Sequence, residues 1–233
     1  MITIKANGTI DPWGVKMINS SQWELLAPTR EATDSLDTDG EIDFGVDMSQ
    51  GQIELQCISP GGLSRRELLA LRQSLVTYLD QLRNQDLLIW ESDSGKGIYV
   101  RLSGAPEISD LENLFEVSIS LEYQPFWVGV TEKTRVGSGT VNNAGTVETP
   151  LKITIQGPVT NPSVTVGGTI LSYTGTLAAP DQLIIDTDTK TVKLNSSNAL
   201  KYYSGGFPQL QPGNTSVVAA AGTTTFAWKD RWI

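Results

Sequence analysis

Alternation with a period of two runs through this chain. Ile53-Glu54-Leu55-Gln56-Cys57, Ile98-Tyr99-Val100-Arg101-Leu102, Val117-Ser118-Ile119-Ser120-Leu121, Leu151-Lys152-Ile153-Thr154-Ile155 and Val192-Lys193-Leu194 each put an apolar side chain at every second position. A strand with that pattern turns one face to a core and the other to water. The 22 glycines and 11 prolines cut the pattern into short runs. Many short strands between such turns predict a mainly β protein built as sandwiches or barrels.

One stretch changes period. Pro60-Gly61-Gly62 ends a strand, and Ser64 then stands three residues before Glu67, the spacing of a capping box. Leu68, Leu71, Leu75, Leu79 and Leu82 follow at three- or four-residue intervals, and Asn84-Gln85-Asp86 closes the run. This predicts one helix from Ser64 to Arg83 whose leucine stripe covers an open end or face of a sheet. Leu87 to Leu102 reads as a hairpin around a polar, glycine-containing loop. Gly95-Lys96 in that loop is not a phosphate-binding loop, because Trp90 stands where the first glycine is needed and Gly97 where Ser or Thr must follow the lysine.

Composition shifts after Tyr123-Gln124-Pro125-Phe126-Trp127. From Thr131 to Gly145 the chain is rich in Thr, Gly, Ser and Asn, and helical periodicity does not return. A boundary between Gly129 and Ser138 follows, giving domains over residues 1–132 and 133–233. The second is expected to be strand only, with seven short strands of a β-sandwich.

Whole classes of chemistry drop out on counts. The 233 residues include no histidine and one cysteine. Imidazole-based catalysis, an intrachain disulfide and a cysteine metal cluster are therefore excluded. Cys57, inside an alternating run, reads as a buried strand thiol rather than a nucleophile. With 17 Lys and Arg against 26 Asp and Glu the net charge is −9, which does not suit phosphate binding, and no sequence-specific nucleic-acid binding is expected. No apolar run reaches the roughly 20 residues of a membrane span, and the start lacks a signal-peptide pattern, so a membrane partner is not expected and synthesis in a cytoplasm is.

Few residues invite a ligand. Aligned on Gly40, Asp37 and Asp39 fall on two ligand positions of a calcium loop, but Ser35 takes the first position and Val46 the twelfth. The segment reads as a solvated loop, with a weak cation site left open. Tyr202, Tyr203, Trp228 and Trp232 either offer a stacking platform for sugar rings or fill the core. Nothing singles out a pair among the 26 carboxylates for glycoside hydrolysis. No catalytic, cofactor-binding or metal-binding residue is assigned, and no cofactor.

Taken in order, the capped helix, the hairpin, Tyr123-Gln124-Pro125-Phe126-Trp127, the run Val141 to Gly157 with Asn142-Asn143-Ala144-Gly145, the Leu183-Ile184-Ile185-Asp186 turn, Leu210-Gln211-Pro212-Gly213-Asn214 and the closing Trp228-Lys229-Asp230-Arg231-Trp232-Ile233 resemble the siphophage distal tail protein (Dit) family over essentially the whole chain. The resemblance implies an N-terminal β-sandwich with one helix and a galectin-like C-terminal β-sandwich. It implies a structural protein without catalytic residues, a homo-hexameric ring serving as baseplate hub at the distal end of the tail in the virion. The ring would join the tail tube protein to the tail-associated hub or lysin protein and carry a docking place for a receptor-binding protein. Two rivals stand beside it: a carbohydrate-binding module for host-surface recognition, and a β-sandwich glycosidase.

Overall fold

The computed structural model describes residues 1–5, 8–11, 13–20, 28–34, 41–48, 50–81, 84–90, 95–219 and 223–233. It divides into two units, Met1–Trp127 and Val128–Ile233. The described structure is mainly β with a single α-helix.

The first unit contains β1 (Ile2–Ile4), β2 (Thr9–Asp11), β3 (Val15–Ser20), β4 (Pro28–Asp34), β5 (Glu41–Met48), β6 (Gly51–Ile58), α1 (Arg65–Gln81), β7 (Asp86–Trp90), β8 (Lys96–Leu102), β9 (Glu107–Asp110) and β10 (Phe115–Gly129). Its main sheet runs β10-β6-β3-β2-β1-β7-β8, and β8 pairs back onto β10. The sheet is thus closed, where two facing sheets were expected. Alternation fixes which side chains face inward, and it does so equally for a sandwich and a barrel; what closes the barrel is that β10 bonds neighbours along both of its edges. Its Glu116 to Tyr123 pair with β6, while the Ser120 carbonyl accepts the amide of Ser103, just past the end of β8, at 2.9 Å. Closure removes free edges. β4 and β5 form a separate two-stranded ribbon. The acidic segment with Asp37 and Asp39 falls in 35–40, outside the described residues.

Inward positions of the closed sheet make one core: Ile2, Ile4, Ile53, Leu55, Ile98, Val117, Ile119 and their neighbours. Gly51 is required there, because a Cβ at that point would lie 2.1 Å from the ring of Tyr123. Leu75 and Leu79 of α1 join the same core. The edge of Tyr78 meets Trp13, centroids 5.2 Å apart, and its hydroxyl donates to Asp86 Oδ2 at 2.6 Å. Trp13 immediately precedes β3 and Asp86 opens β7, so the helix lies over the end of the barrel where those strands begin. Leu82 and Arg83, expected to finish the helix, fall outside the described residues.

In the second unit, β11 (Lys133–Val136), β13 (Leu151–Gln156), β18 (Gln182–Asp186), β19 (Thr191–Leu194), β20 (Ser197–Asn198) and β23 (Thr223–Trp228) form one sheet, in the order β11-β23-β13-β18-β19-β20. A second sheet, ordered β12-β22-β15-β16-β21, holds β12 (Gly139–Asn143), β15 (Ser163–Val166), β16 (Thr169–Tyr173), β21 (Tyr203–Ser204) and β22 (Gly213–Ala219). Three two-residue strands, β14 (Val159–Thr160), β17 (Thr176–Leu177) and β24 (Arg231–Trp232), and one 3-10 turn at Leu200–Tyr202, where strand alone was expected, complete the described elements. Both sheets feed one core: Ile153, Ile155, Ile185 and Phe226 from the first, Val141, Val164, Val166, Leu171 and Val217 from the second. The seven stretches expected as strands, 151–155, 163–166, 169–173, 182–186, 191–194, 215–219 and 223–229, fall on β13, β15, β16, β18, β19, β22 and β23, joined by further short ones that two- to five-residue runs do not announce in sequence.

Candidate assembly surfaces

The helix is built as its sequence dictates. Ser64 Oγ accepts the Glu67 amide at 3.4 Å, and Glu67 Oε2 accepts the Ser64 amide at 2.8 Å, which satisfies two of the donors that a helix start leaves open. The Ser64 hydroxyl also donates to Glu67 Oε2 at 2.6 Å. That hydroxyl first, and then the Ser64 amide, hold the Glu67 carboxyl below its ordinary pKa. Arg72 reaches from the helix to Asp110, Nη1 lying 2.9 Å from Oδ2, and so ties α1 to the end of β9. Beside this pair runs a groove lined by Arg65, Leu68, Leu69, Leu111 and Phe115. Leu69 is 57% exposed and Leu111 47%, so apolar surface lies open at this end of the unit.

Charge is distributed unevenly. Met1–Trp127 carries twenty acidic and nine basic residues, a net of −11, whereas Val128–Ile233 carries six acidic and eight basic, a net of +2. On the barrel wall, outward positions of β9 and β10 include Glu107 and Glu116, on neighbouring rungs of one ladder: Glu116 opposes Ser109 and Ser118 opposes Glu107. Arg101 of β8 binds Glu122 through Nε at 2.6 Å.

The second sheet of the second unit is different again. None of its five strands contains Asp, Glu, Lys or Arg. Its outer face has a row of Val218, Thr165 and Ile170 across three strands and an amide ladder in which Asn142 Nδ2 donates to Asn214 Oδ1 at 2.8 Å.

The aromatic residues considered as a sugar platform are split up. Trp228 is core, 7% exposed, with its indole N–H donating to the Asn142 carbonyl at 3.1 Å; the platform reading of Trp228 is corrected accordingly. Tyr203 stacks on Phe207, centroids 5.2 Å apart, and donates to the Gly206 carbonyl. Burial pushes its hydroxyl up to about 12. Tyr202 is 47% exposed, with the Lys201 ammonium 4.6 Å from its ring centre. Cys57 is buried, and burial pushes its thiol up to about 12, the opposite of what a nucleophile needs. Among the described residues no group of three or more His, Cys, Asp or Glu could hold a metal ion.

The turn after β12 is the most densely bonded polar feature that sequence reasoning named but could not explain. Asn143, 1% exposed, donates through Nδ2 to the carbonyls of Val147 (2.8 Å) and Leu210 (3.2 Å), and its Oδ1 accepts the Gly145 amide at 2.9 Å. Asp230 accepts the Ala144 amide at 3.1 Å and pairs with Lys133. One polar network thereby ties the start of the unit to its last strands.

This is the segment at which a known family begins to match. Residues 144–232 fit the family model described as siphovirus-type tail component, C-terminal domain. The match takes in most of the second unit and none of the first. Its structure is similar to the crystal structure of the Dit protein of phage SPP1, presented as a paradigm of the hub adsorption apparatus in phages that infect Gram-positive bacteria. The match covers 94% of each chain at 15% identity, with a TM-score of 0.68. A weaker likeness, TM-score 0.46 and 10% identity, joins it to a chain of the phage P2 baseplate in its activated conformation with calcium, over 93% of this chain and 90% of the other. No curated protein matches. The matched model is of a siphovirus tail component and lies within the second unit, whereas the fold shared with SPP1 Dit extends over 94% of the chain.

Proposed function

We propose that this chain is the baseplate hub of a long non-contractile phage or prophage tail, a homo-hexameric ring at the distal end of the tail in the virion, assembled in the cytoplasm of the bacterial host. The observation that carries the reading is the fold shared with SPP1 Dit over 94% of both chains, joined to a tail-component match in the second unit. In this reading the first unit forms the ring. It meets the tail tube protein on one side and the tail-associated hub or lysin protein on the other. The second unit, with two sheets around one core in the manner of a galectin-like sandwich, projects outward and offers a place for a receptor-binding protein. An acidic first unit suits a ring that DNA traverses, since like charge repels phosphate rather than trapping it. Light scattering on the purified protein tests the reading: a particle of six chains, or of two such rings, is expected, and a monomer at every concentration would sink it.

A further inference from the structure

Two local choices in the first unit work against its own stability. Arg65 and Arg66 are the first two residues of α1, where the positive end of the helix dipole disfavours cations. Neither has an acidic partner among the described residues, in contrast to Arg72 and Arg101. Glu107 and Glu116 sit diagonally on one ladder of β9 and β10, both outward and both without a cationic partner among the described residues. Diagonal neighbours on a ladder stand about 7–8 Å apart, within reach of long side chains, and two carboxylates at that separation repel. Local rules broken without compensation inside the chain mark functional surface, and these two breaches are of opposite sign.

We propose that the surface formed by Arg65, Arg66 and Leu69 of α1 together with Leu111, just past β9, docks on a second copy of this chain, against the Glu107 and Glu116 rungs of its barrel wall. The inference rests on the hub reading and names the contact by which one subunit holds the next. Charge complementarity selects the occupant: a unit with a net of −11 has few cations to offer, and two of them, without an acidic partner among the described residues, border exposed leucines. Docking supplies each arginine with a carboxylate and covers Leu69 and Leu111. The pattern also fits interface anatomy, in which an apolar centre is bordered by charges that set register and partner choice.

The test is a charge swap in the full-length protein. Arg65→Glu with Arg66→Glu, and Glu107→Arg with Glu116→Arg, are each expected to lose the particle mass of the parent while keeping its far-ultraviolet circular dichroism and a single cooperative melting transition. Mixed one to one, the two proteins are expected to regain that mass, because each now carries what the other lacks. Either variant assembling alone to the parental mass, or a mixture that stays at the masses of its components, overturns the proposal. Should a reversed pair melt early, Arg65→Gln with Arg66→Gln takes its place and must weaken association at least tenfold. If the variants keep the parental mass but lose retention on duplex DNA, the arginines serve phosphate and the proposal fails. Assembled variants beside an assembled parent sink this contact alone; a parent that never assembles sinks the hub reading with it.

Discussion

Gly145 lies directly against the backbone of Arg231: a Cβ at position 145 would stand 1.9 Å from the Arg231 carbonyl oxygen. That same oxygen accepts the amides of Thr146 (3.0 Å) and Val147 (3.3 Å), so it cannot retreat without breaking both bonds. Gly145→Ala is expected to destabilise the second unit by about 1–3 kcal/mol, the usual cost of forcing a group into a packed site. Gly206→Ala, where the nearest atom outside the chain neighbours is 3.9 Å away, is the control. Equal melting temperatures for the two variants would contradict the close approach.

The alternating runs gave away the strands because burial in a sheet is written into every second residue; β6 reads buried-exposed throughout. The Ser64–Glu67 box was equally legible, since a cap needs particular side chains at fixed spacing. Closure of the first sheet was not, because the pairing of β8 with β10 depends on long-range register that no local pattern encodes. The proposed docking surface is no more legible: Arg65 and Glu116 are ordinary surface residues in sequence, and only the start of the helix, the shared ladder and the lack of an ion-pair partner among the described residues make them unusual. Asn143 stood out as part of a motif, yet its three hydrogen bonds join residues up to 67 positions apart.

Leu75 is fully buried beneath α1, within the barrel core. Leu75→Ala removes those contacts and leaves a cavity, at an expected cost of about 2–5 kcal/mol. Thermal or denaturant unfolding measures it, and the yield of folded protein should fall in step. Val76→Ala, at a 44% exposed position of the same helix outside the proposed docking surface, is expected to leave stability within about 0.5 kcal/mol. A Leu75 variant melting within a degree or two of the parent would show that the stripe does not face the core.

The Glu67 carboxyl sits below its ordinary pKa through its bonds to Ser64. Since its folded value lies below its unfolded one, the bond contributes above the ordinary carboxylate range and is lost as pH falls through the lowered value. Ser64→Ala should cost about 0.5–2 kcal/mol at neutral pH. The gap in melting temperature between parent and variant should then narrow as the solution is acidified below the carboxylate range. A gap that held constant down to strongly acid pH would mean that Glu67 takes no part in the cap.

Asn143 separates two kinds of loss. Asn143→Ala strands the carbonyls of Val147 and Leu210 and the amide of Gly145 in a buried site, and each unsatisfied group costs about 1–3 kcal/mol. Asn143→Asp keeps the shape and the acceptor for Gly145, but it turns an oxygen toward two carbonyl oxygens where the amide had donated. At neutral pH the carboxylate is therefore expected to be at least as damaging as alanine, because an unpaired buried charge is added to the lost bonds. On acidification the protonated acid can donate to one of the carbonyls, so the Asp variant should recover stability relative to the Ala variant as pH falls. Parallel unfolding curves for the two variants at every pH would show that the side-chain amide is not the donor holding this turn to Leu210.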